Sequence, residues 1–261
     1  MQAQTLPQPA PERSPMTYTA LLGAFGEEVK LIEASLDGAT ELTLNGHRFV
    51  TGQLGQQHVV VALTGIGKTN AALTTALVMA HFQPKQVIFT GIAGGVRHDL
   101  QPGDIVIGGE VGYHDVRSVT LTMEPTRQTM HPVSFTLNPL YFTADPTLLG
   151  LAEQAVQSVD LATIPGSERP PKAIVGRILT GDEFIHSAAR ADAIRSEYAA
   201  DAIEMEGAAV AQVCHQQGIP CLVIRSLSDR ADSHAVIDLL AFLSTAATNS
   251  ANVVRAVVTS L

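Results

Sequence analysis

Apolar and polar positions follow two alternating patterns from Tyr18 onward. Short apolar runs, several of them ending in glycine, are typical of buried strands. These runs are YTALLGAF, HVVVALTGIG, QVIFTGIAGGV, DIVIGGEVGYHDV, AIVGRILTG, AIEME and PCLVIRSLS. Stretches with apolar residues at helical spacing lie between them, among them TNAALTTALVMAHF, ADPTLLGLAEQAVQSV and GAAVAQVCHQQ. The alternation predicts a single-domain, three-layer α/β/α fold with a central mixed, largely parallel twisted sheet.

Local signals add detail to this pattern. ELTLNGHRFV predicts a hairpin whose turn is Asn45-Gly46, because that dipeptide suits the tightest hairpin turns. Asp145 followed by Pro146 predicts the start of a helix, with the acid as N-cap and the proline at the first helical position.

Two segments depart from the alternation. Residues 1–16 are rich in Pro and Gln and lack an apolar core, so we expect a disordered leader rather than a secretory signal, and the cytoplasm as compartment. The main domain is then expected over residues 17–261. Within it, residues 118–145 contain Pro125, Pro132 and Pro139 and predict an irregular insertion, which in a compact domain is a lid, an interface arm or a disordered segment.

Composition narrows the class of protein. Hydrophobic residues make up 46% and charged residues 16% of the chain, and the formal net charge is −9. A lightly charged surface favours an enzyme that buries area in an oligomer, although weaker core packing gives the same composition. The absence of a Lys/Arg-rich run argues against nucleic acid as a partner, and no apolar stretch is long enough to span a membrane. The two cysteines, Cys214 and Cys221, lie in apolar contexts and are expected to be reduced.

Three motifs suggest cofactor sites that their spacing does not support. TGIGKTN resembles a phosphate-binding loop, but Ala62 occupies the position of the required first glycine, so we interpret it as a tight strand-to-helix turn. The glycines of TGIAGGV are not spaced as in a dinucleotide-binding loop. The nine histidines show no ligand spacing, so neither a metal nor an organic cofactor is expected.

Acidic residues follow three of the expected strands. The pairs are Glu27 with Glu28, Glu204 with Glu206, and Asp229 with Asp232. Ligands of open parallel sheets bind beyond the carboxyl ends of the strands, so these acids are candidates for one site. Each acid can instead cap the helix that follows it, and this alternative stays open for Glu27, Glu204 and Asp232. The joint pattern favours a site for the other three.

Seven segments together resemble one known family. They are GAFGEEV, TGIGKTNAA, FTGIAGG, GDIVIGGEVGYHD, LTGDEFI, AIEMEGAAVAQVC and VIRSLSDRAD. In this order they resemble the 5′-methylthioadenosine/S-adenosylhomocysteine nucleosidases of the nucleoside phosphorylase superfamily, from about Tyr18 to the C-terminus. The resemblance implies a cofactor-free homodimer that hydrolyses the N-glycosidic bond of an adenine nucleoside.

The resemblance also implies catalytic and sugar-binding roles. Asp229 matches the general acid that protonates purine N7, and Ser228 would orient it; such help is worth roughly 10²–10⁴-fold. An Asp at this position suits adenine, since relatives acting on 6-oxopurines tend to carry Asn. Glu28 matches the residue that holds the attacking water. Glu206 matches the carboxylate that binds the ribose hydroxyls, with Met205 packed against the sugar.

The remaining substrate-binding candidates lie in two segments. Phe184 resembles the aromatic residue that stacks on adenine, and Ile185 would offer backbone hydrogen bonds to the base. Taken in isolation, Phe184 would be interpreted as an ordinary core residue, but its position just after a strand favours a functional role. Ile92, Ala93 and Gly94 form the second segment, a strand end that is expected to contact the substrate.

The nucleophile is a separate question. Phosphorolytic relatives carry Arg and Ser or Thr where this chain has Phe89 and Ile92, and acids replace an Arg in GAFGEEV, so water is the expected nucleophile. Two features differ from many nucleosidases: the residue Ile92 and the length of the segment 118–145. The first affects the expected contacts to the water and the sugar, and the second affects the contacts to the 5′ group. Three alternatives stay open: a purine nucleoside phosphorylase, a hydrolase of adenosine or futalosine, and a non-catalytic nucleoside-binding protein.

Overall fold

The computed structural model describes residues 17–120, 123–165, 167 and 169–261, so the expected leader lies outside the described residues. The strands are β1 Thr19–Gly23, β2 Asp37–Leu44, β3 His47–Leu54, β4 Gln57–Leu63, β5 Gln86–Phe89, β6 Ile92–Gly95, β7 Ile105–Tyr113, β8 Ser118–Val119, β9 Pro125–Thr126, β10 Tyr141–Thr143, β11 Ala173–Thr180, β12 Ala202–Glu204 and β13 Cys221–Asp229. The helices are α1 Gly26–Glu33, α2 Lys68–Phe82, α3 Pro146–Ser158, α4 Ala188–Tyr198, α5 Gly207–Gln217 and α6 Ala235–Thr259.

The central sheet is mixed, as the sequence predicts. Its eleven strands lie in the order β10-β7-β11-β12-β6-β13-β5-β1-β4-β3-β2. Pairing is parallel in the middle, where β13, β5, β1 and β4 run together, and antiparallel along the hairpin β2–β3–β4. Strand β7 also pairs with β13, so β7, β11, β12, β6 and β13 close into a ring. One half of the sheet is therefore open and the other half is closed.

Helices cover both faces of the sheet. Leu21 and Leu22, neighbours in β1, belong to different core clusters, because successive side chains of a strand point to opposite faces. The Leu22 cluster contains residues of α2 and α5, such as Val78 and Val210. The Leu21 cluster contains residues of α1, α3 and α6. This arrangement is the predicted α/β/α layering, and among the described helices none has the length and apolar character to cross a bilayer.

The two local turn and cap predictions are confirmed. Asn45 and Gly46 have φ of 52° and 79°, which is the left-handed pair that a two-residue hairpin turn requires. The Asp145 side chain accepts hydrogen bonds from the amides of Thr147 and Leu148, and Pro146 is the first residue of α3.

Residues 118–145 are more regular than expected. Strands β8 and β9 pair with each other, an isolated bridge joins Met130 and Leu137, and β10 is an antiparallel edge strand on β7. Strand β10 forms because Tyr141, Phe142 and Thr143 have high strand propensity. Phe142 is also buried, and its ring lies edge-on to that of Tyr113 with 6.4 Å between the ring centroids.

Candidate active site

A cavity of about 400 Å³ opens beyond the carboxyl ends of β1, β4, β11, β12 and β13. It is lined by Phe25, Ile66, Ile92, Ala93, Gly94, Glu183, Phe184, Ile185, Ile203, Glu204, Met205, Glu206, Ser228, Asp229 and Leu239. Nine of the ten site residues that the sequence predicts are in this set; Glu28 is the exception. The position is the one expected for a ligand site in an open α/β sheet.

Asp229 is a buried carboxyl group at the end of β13. Its Oδ2 accepts a hydrogen bond of 2.7 Å from Ser228 Oγ, and its Oδ1 accepts one of 2.7 Å from the Ala231 amide. Burial raises the pKa of Asp229 above its ordinary value despite these two donors. A Cβ on Gly94 would lie 2.9 Å from Oδ1, which means that glycine is needed there for the carboxyl to sit where it does.

Glu28 lies just behind the cavity wall rather than on it. It is the N3 residue of α1, and its Oε2 accepts hydrogen bonds from the amides of Ala24 and Phe25. This is the helix-capping role that the sequence interpretation rejected for Glu28. Its Oε1 also accepts a 3.1 Å bond from the amide of Ile92, a lining residue. Burial raises its pKa, while the Arg225 charge and the three amides lower it, with a net increase.

Glu206 lines the cavity from the turn between β12 and α5. Its Oε1 accepts a hydrogen bond of 2.7 Å from the amide of Gly67, in the loop before α2. Burial, and then the nearby charge of Glu204, raise the pKa of Glu206 to about 8. The TGIGKTN loop is therefore the strand-to-helix turn that its spacing predicts, and its Gly67 amide holds the carboxyl group of Glu206.

A buried ion pair beneath these acids was missed by the sequence interpretation. Arg225 Nη2 donates to Glu204 Oε2 at 2.7 Å, and both side chains are almost fully buried. Glu204 Oε2 also accepts from the amides of Glu206 and Gly207, so it does cap α5. The available signal was a lone arginine within the apolar strand PCLVIRSLS, because a buried Arg requires an acidic partner.

The break between β5 and β6 explains how Arg225 and Glu28 come together. The sequence suggested one continuous strand, but the chain leaves β5 at Phe89 and enters β6 at Ile92. A Cβ on Gly91 would lie 2.9 Å from Glu28 Oε1 and 3.0 Å from Arg225 Nη1. Only glycine leaves room for both charged groups at this crossing.

The rim of the cavity is apolar and exposed. Phe184 is 40% exposed and Ile66 is 48% exposed. Ile185, next to Phe184, is buried among side chains of α4 and β12. The described residues of 118–145 do not line the cavity within this chain, so a role for that segment over the 5′ group stays a prediction.

Comparison with known proteins places this geometry in a family. The family model described as Phosphorylase superfamily matches residues 18–259. A 5′-methylthioadenosine/S-adenosylhomocysteine nucleosidase of Bacillus thuringiensis (strain Al Hakam) is 37% identical over 243 residues, which are 93% of this chain and 98% of the relative. The chain belongs to the phosphorylase superfamily, among its 5′-methylthioadenosine/S-adenosylhomocysteine nucleosidases. The resemblance drawn from the seven segments is thus confirmed.

Solved structures give the same result for the fold. The nucleosidase of this name from Neisseria meningitidis, in complex with methylthio-immucillin-A, has a TM-score of 0.81 and 36% identity, and the match covers 94% of this chain and 100% of that chain. The futalosine hydrolase of Helicobacter pylori strain 26695 has a TM-score of 0.80 and 32% identity, covering 94% of this chain and 99% of that chain. Members of the family with different named substrates therefore share this architecture.

Proposed function

We propose that the chain hydrolyses the N-glycosidic bond of 5′-methylthioadenosine and S-adenosylhomocysteine, releasing adenine and the 5′-substituted ribose. The observation that supports this most directly is Asp229, a buried carboxyl group with a raised pKa that opens onto the cavity. A buried carboxyl group with a raised pKa holds its proton to a higher pH than an ordinary Asp does, which suits general acid catalysis. Relatives named for this activity, such as the Bacillus thuringiensis protein, match nearly the whole chain.

In the proposed reaction the C1′–N9 bond breaks and its electron pair moves onto adenine. Asp229 transfers its proton to N7, so the base leaves neutral, and Glu206 binds the ribose hydroxyls. A water oxygen bonds to C1′, and Glu28 accepts the proton that the water loses. The raised pKa of Glu28 makes its ionised form a stronger base. Phe184 stacks on adenine, Ile185 contacts the base, and Met205 packs on the sugar.

Water rather than phosphate fits the charges of the cavity. Four of its lining residues are acidic: Glu183, Glu204, Glu206 and Asp229. None of the described lining residues is Lys or Arg, and Arg225 behind them is already paired with Glu204. Phosphate needs cations or several N–H donors, and the described lining offers it no cationic side chain.

The test is adenine release from 5′-methylthioadenosine, S-adenosylhomocysteine, adenosine and futalosine, each with and without phosphate. We expect release that does not depend on phosphate, and a fall in kcat of about 10²–10⁴-fold in Asp229→Asn. Asp232→Asn is the matched control, because Asp232 follows the same strand but lies outside the cavity. Phosphate-dependent release with formation of a sugar 1-phosphate identifies a phosphorylase, and ligand binding without turnover identifies a binding protein.

We also propose that the protein acts as a homodimer in the cytoplasm. The insertion exposes apolar side chains that a second copy could cover, including Met123, Val133 and Phe135. The low fraction of charged residues, 16%, agrees with a buried interface. Sedimentation velocity at micromolar concentration tests the dimer, and a monomer would exclude it.

A further inference from the structure

A cluster of charged side chains joins three segments near the cavity. Lys68, the first residue of α2, places its Nζ 2.5 Å from Asp115 Oδ2 and 3.6 Å from Asp182 Oδ2. The amide of Asp182 donates to the same Asp115 oxygen at 2.9 Å. Asp115 follows β7 and Asp182 follows β11, so one ammonium group connects the ends of two strands to the start of a helix.

One side of this cluster reaches Glu206. The amide of Lys68 donates to Asp182 Oδ1 at 2.8 Å, and the preceding amide, of Gly67, donates to Glu206 Oε1 at 2.7 Å. Consecutive N–H groups at the start of α2 thus hold one carboxylate of the cluster and one carboxylate of the cavity. Gly67 has a φ of 92°, which sets the direction of these amides and favours glycine.

The other side of the cluster leads to the aromatic rim. Asp182 directly precedes Glu183, Phe184 and Ile185, all of which line the cavity. Phe184 is 40% exposed, so side-chain packing alone holds its ring weakly. The contacts of Asp182 with Lys68 and Asp115 therefore restrain the segment from its N-terminal end.

Lys68 supplies the positive charge of the cluster. The pKa of Asp115 is raised by burial but lowered more by Lys68 and the Asp182 amide, so Asp115 is ionised. Burial lowers the pKa of neighbouring His114, which leaves that ring neutral near pH 7. The nearby Arg190 is paired with Glu183. Removing the ammonium would leave Asp115 and Asp182 facing each other with no cation between them.

We propose that Lys68 is a positioning residue that fixes both the Gly67 amide on Glu206 and the segment carrying Phe184. The inference rests on the proposed function, since it assigns these two groups to ribose and adenine. Lys68 contacts neither Asp229 nor Glu28 among its described partners. Its loss therefore weakens substrate binding more than the chemical step, and a rise in KM with kcat kept is the signature of lost uniform binding.

The first experiment compares Lys68→Met with Lys172→Met. Lys172 forms an ion pair with Asp99 at 2.8 Å on the surface, outside the cavity lining, and serves as the matched control. We expect Lys68→Met to raise KM for 5′-methylthioadenosine about tenfold with kcat changed by less than about threefold. Lys68→Arg, which keeps the charge, should recover most of the KM. Equal KM in all three variants overturns the proposal, as does loss of kcat alone.

A second readout does not need turnover. The chain contains no tryptophan, so Phe184→Trp introduces a single fluorophore into the segment. Adding Lys68→Met should shift the tryptophan emission to longer wavelength and raise acrylamide quenching about twofold, because the segment becomes more mobile and more exposed to solvent. Lys172→Met should change neither the emission nor the quenching. Asp115→Asn, which keeps Lys68, should give a smaller change of the same sign.

The two readouts separate the two proposals. A protein that releases no adenine but shows the fluorescence change keeps the positioning role of Lys68 and loses the proposed activity. An active protein with unchanged fluorescence and unchanged KM loses the positioning role alone. Urea unfolding of each variant, recorded on the same samples, restricts the comparison to folded protein.

Discussion

The floor and the rim of the cavity are held in opposite ways. At the floor and directly behind it, Glu28, Glu204 and Asp229 are buried, and each accepts two or more hydrogen bonds, chiefly from backbone amides. At the rim, Phe184 and Ile66 are 40% and 48% exposed. The floor is fixed by the sheet itself, whereas the rim depends on loops and on ion pairs such as that of Lys68.

The difference between the buried floor and the exposed rim corresponds to two functions of the site, catalysis and substrate binding. Groups that stabilise developing charge are effective when they are already oriented before the reaction, because they then need no reorganisation. Groups that accept a nucleoside must leave room for it to enter. We therefore expect substitutions at the floor to cost stability or kcat, and substitutions at the rim to cost binding.

The largest effect is expected from Arg225→Met. It leaves the buried Glu204 carboxyl group without its cation, and breaking a buried pair in this way costs about 3–5 kcal/mol. Urea unfolding measures the loss. Combining Arg225→Met with Glu204→Gln should restore part of it, and Lys172→Met, at an exposed pair with Asp99, should cost much less than Arg225→Met. A loss below that of the surface pair would contradict the proposed difference.

Gly94→Ala tests the floor without removing a charge. The added Cβ would lie 2.9 Å from Asp229 Oδ1 and 3.1 Å from Ala231 Cβ, so the acid must move. A displacement of about 1 Å at a reacting group can lower kcat about 10²-fold. The control is Gly150→Ala within α3, where a Cβ meets nothing within 4 Å; it should leave kcat unchanged and stabilise the helix by about 0.5–1 kcal/mol. Unchanged kcat in both would show that Asp229 tolerates the shift.

The pH dependence of stability reports on Glu206. Its pKa is about 8 in the folded protein against an ordinary value of 4.5, so the folded state binds the extra proton between these values. The stabilisation is complete below about pH 4.5 and is lost as the pH rises through about 8, with a slope of at most about 1.4 kcal/mol per pH unit. Glu206→Gln should flatten the curve of unfolding free energy, whereas Glu153→Gln, on the exposed side of α3, should not. A curve that rises over this range contradicts the assignment.

Sequence patterns predicted Glu28, Glu206 and Asp229 as site residues, but not the contacts that hold the buried acids in place. Asp229 and Glu206 were found because each follows a recognisable strand. The pairing of Glu204 with Arg225 was not found, because it joins residues 21 positions apart on two strands that meet only through the ring of the sheet. Periodicity assigns a residue to a strand, but it carries no information about which strands become neighbours.

The sequence analysis did not predict the break between β5 and β6 or the role of Lys68, and the reasons differ. In QVIFTGIAGGV only Thr90, a residue with high strand propensity, separates Phe89 from Gly91, and the break appears only once β6 pairs with β12. Lys68 was considered only as part of a phosphate-binding loop and set aside when that spacing failed. Its partners, Asp115 and Asp182, are 47 and 114 residues away in the chain, beyond the reach of any local pattern.

The smallest effect is expected at the rim, where Phe184 can be compared with an exposed phenylalanine that lies away from the cavity. Phe184 lines the cavity and is 40% exposed, while Phe135 in the insertion is 62% exposed and does not line it. Replacing either with Ala should change the unfolding free energy by no more than about 0.5 kcal/mol. Phe184→Ala should raise KM about fivefold to tenfold, at the lower end of the 1–3 kcal/mol that stacking on a base contributes. Phe135→Ala should leave KM unchanged if the insertion stays clear of the cavity, and a matching rise in KM would show instead that the insertion of a second copy covers the substrate.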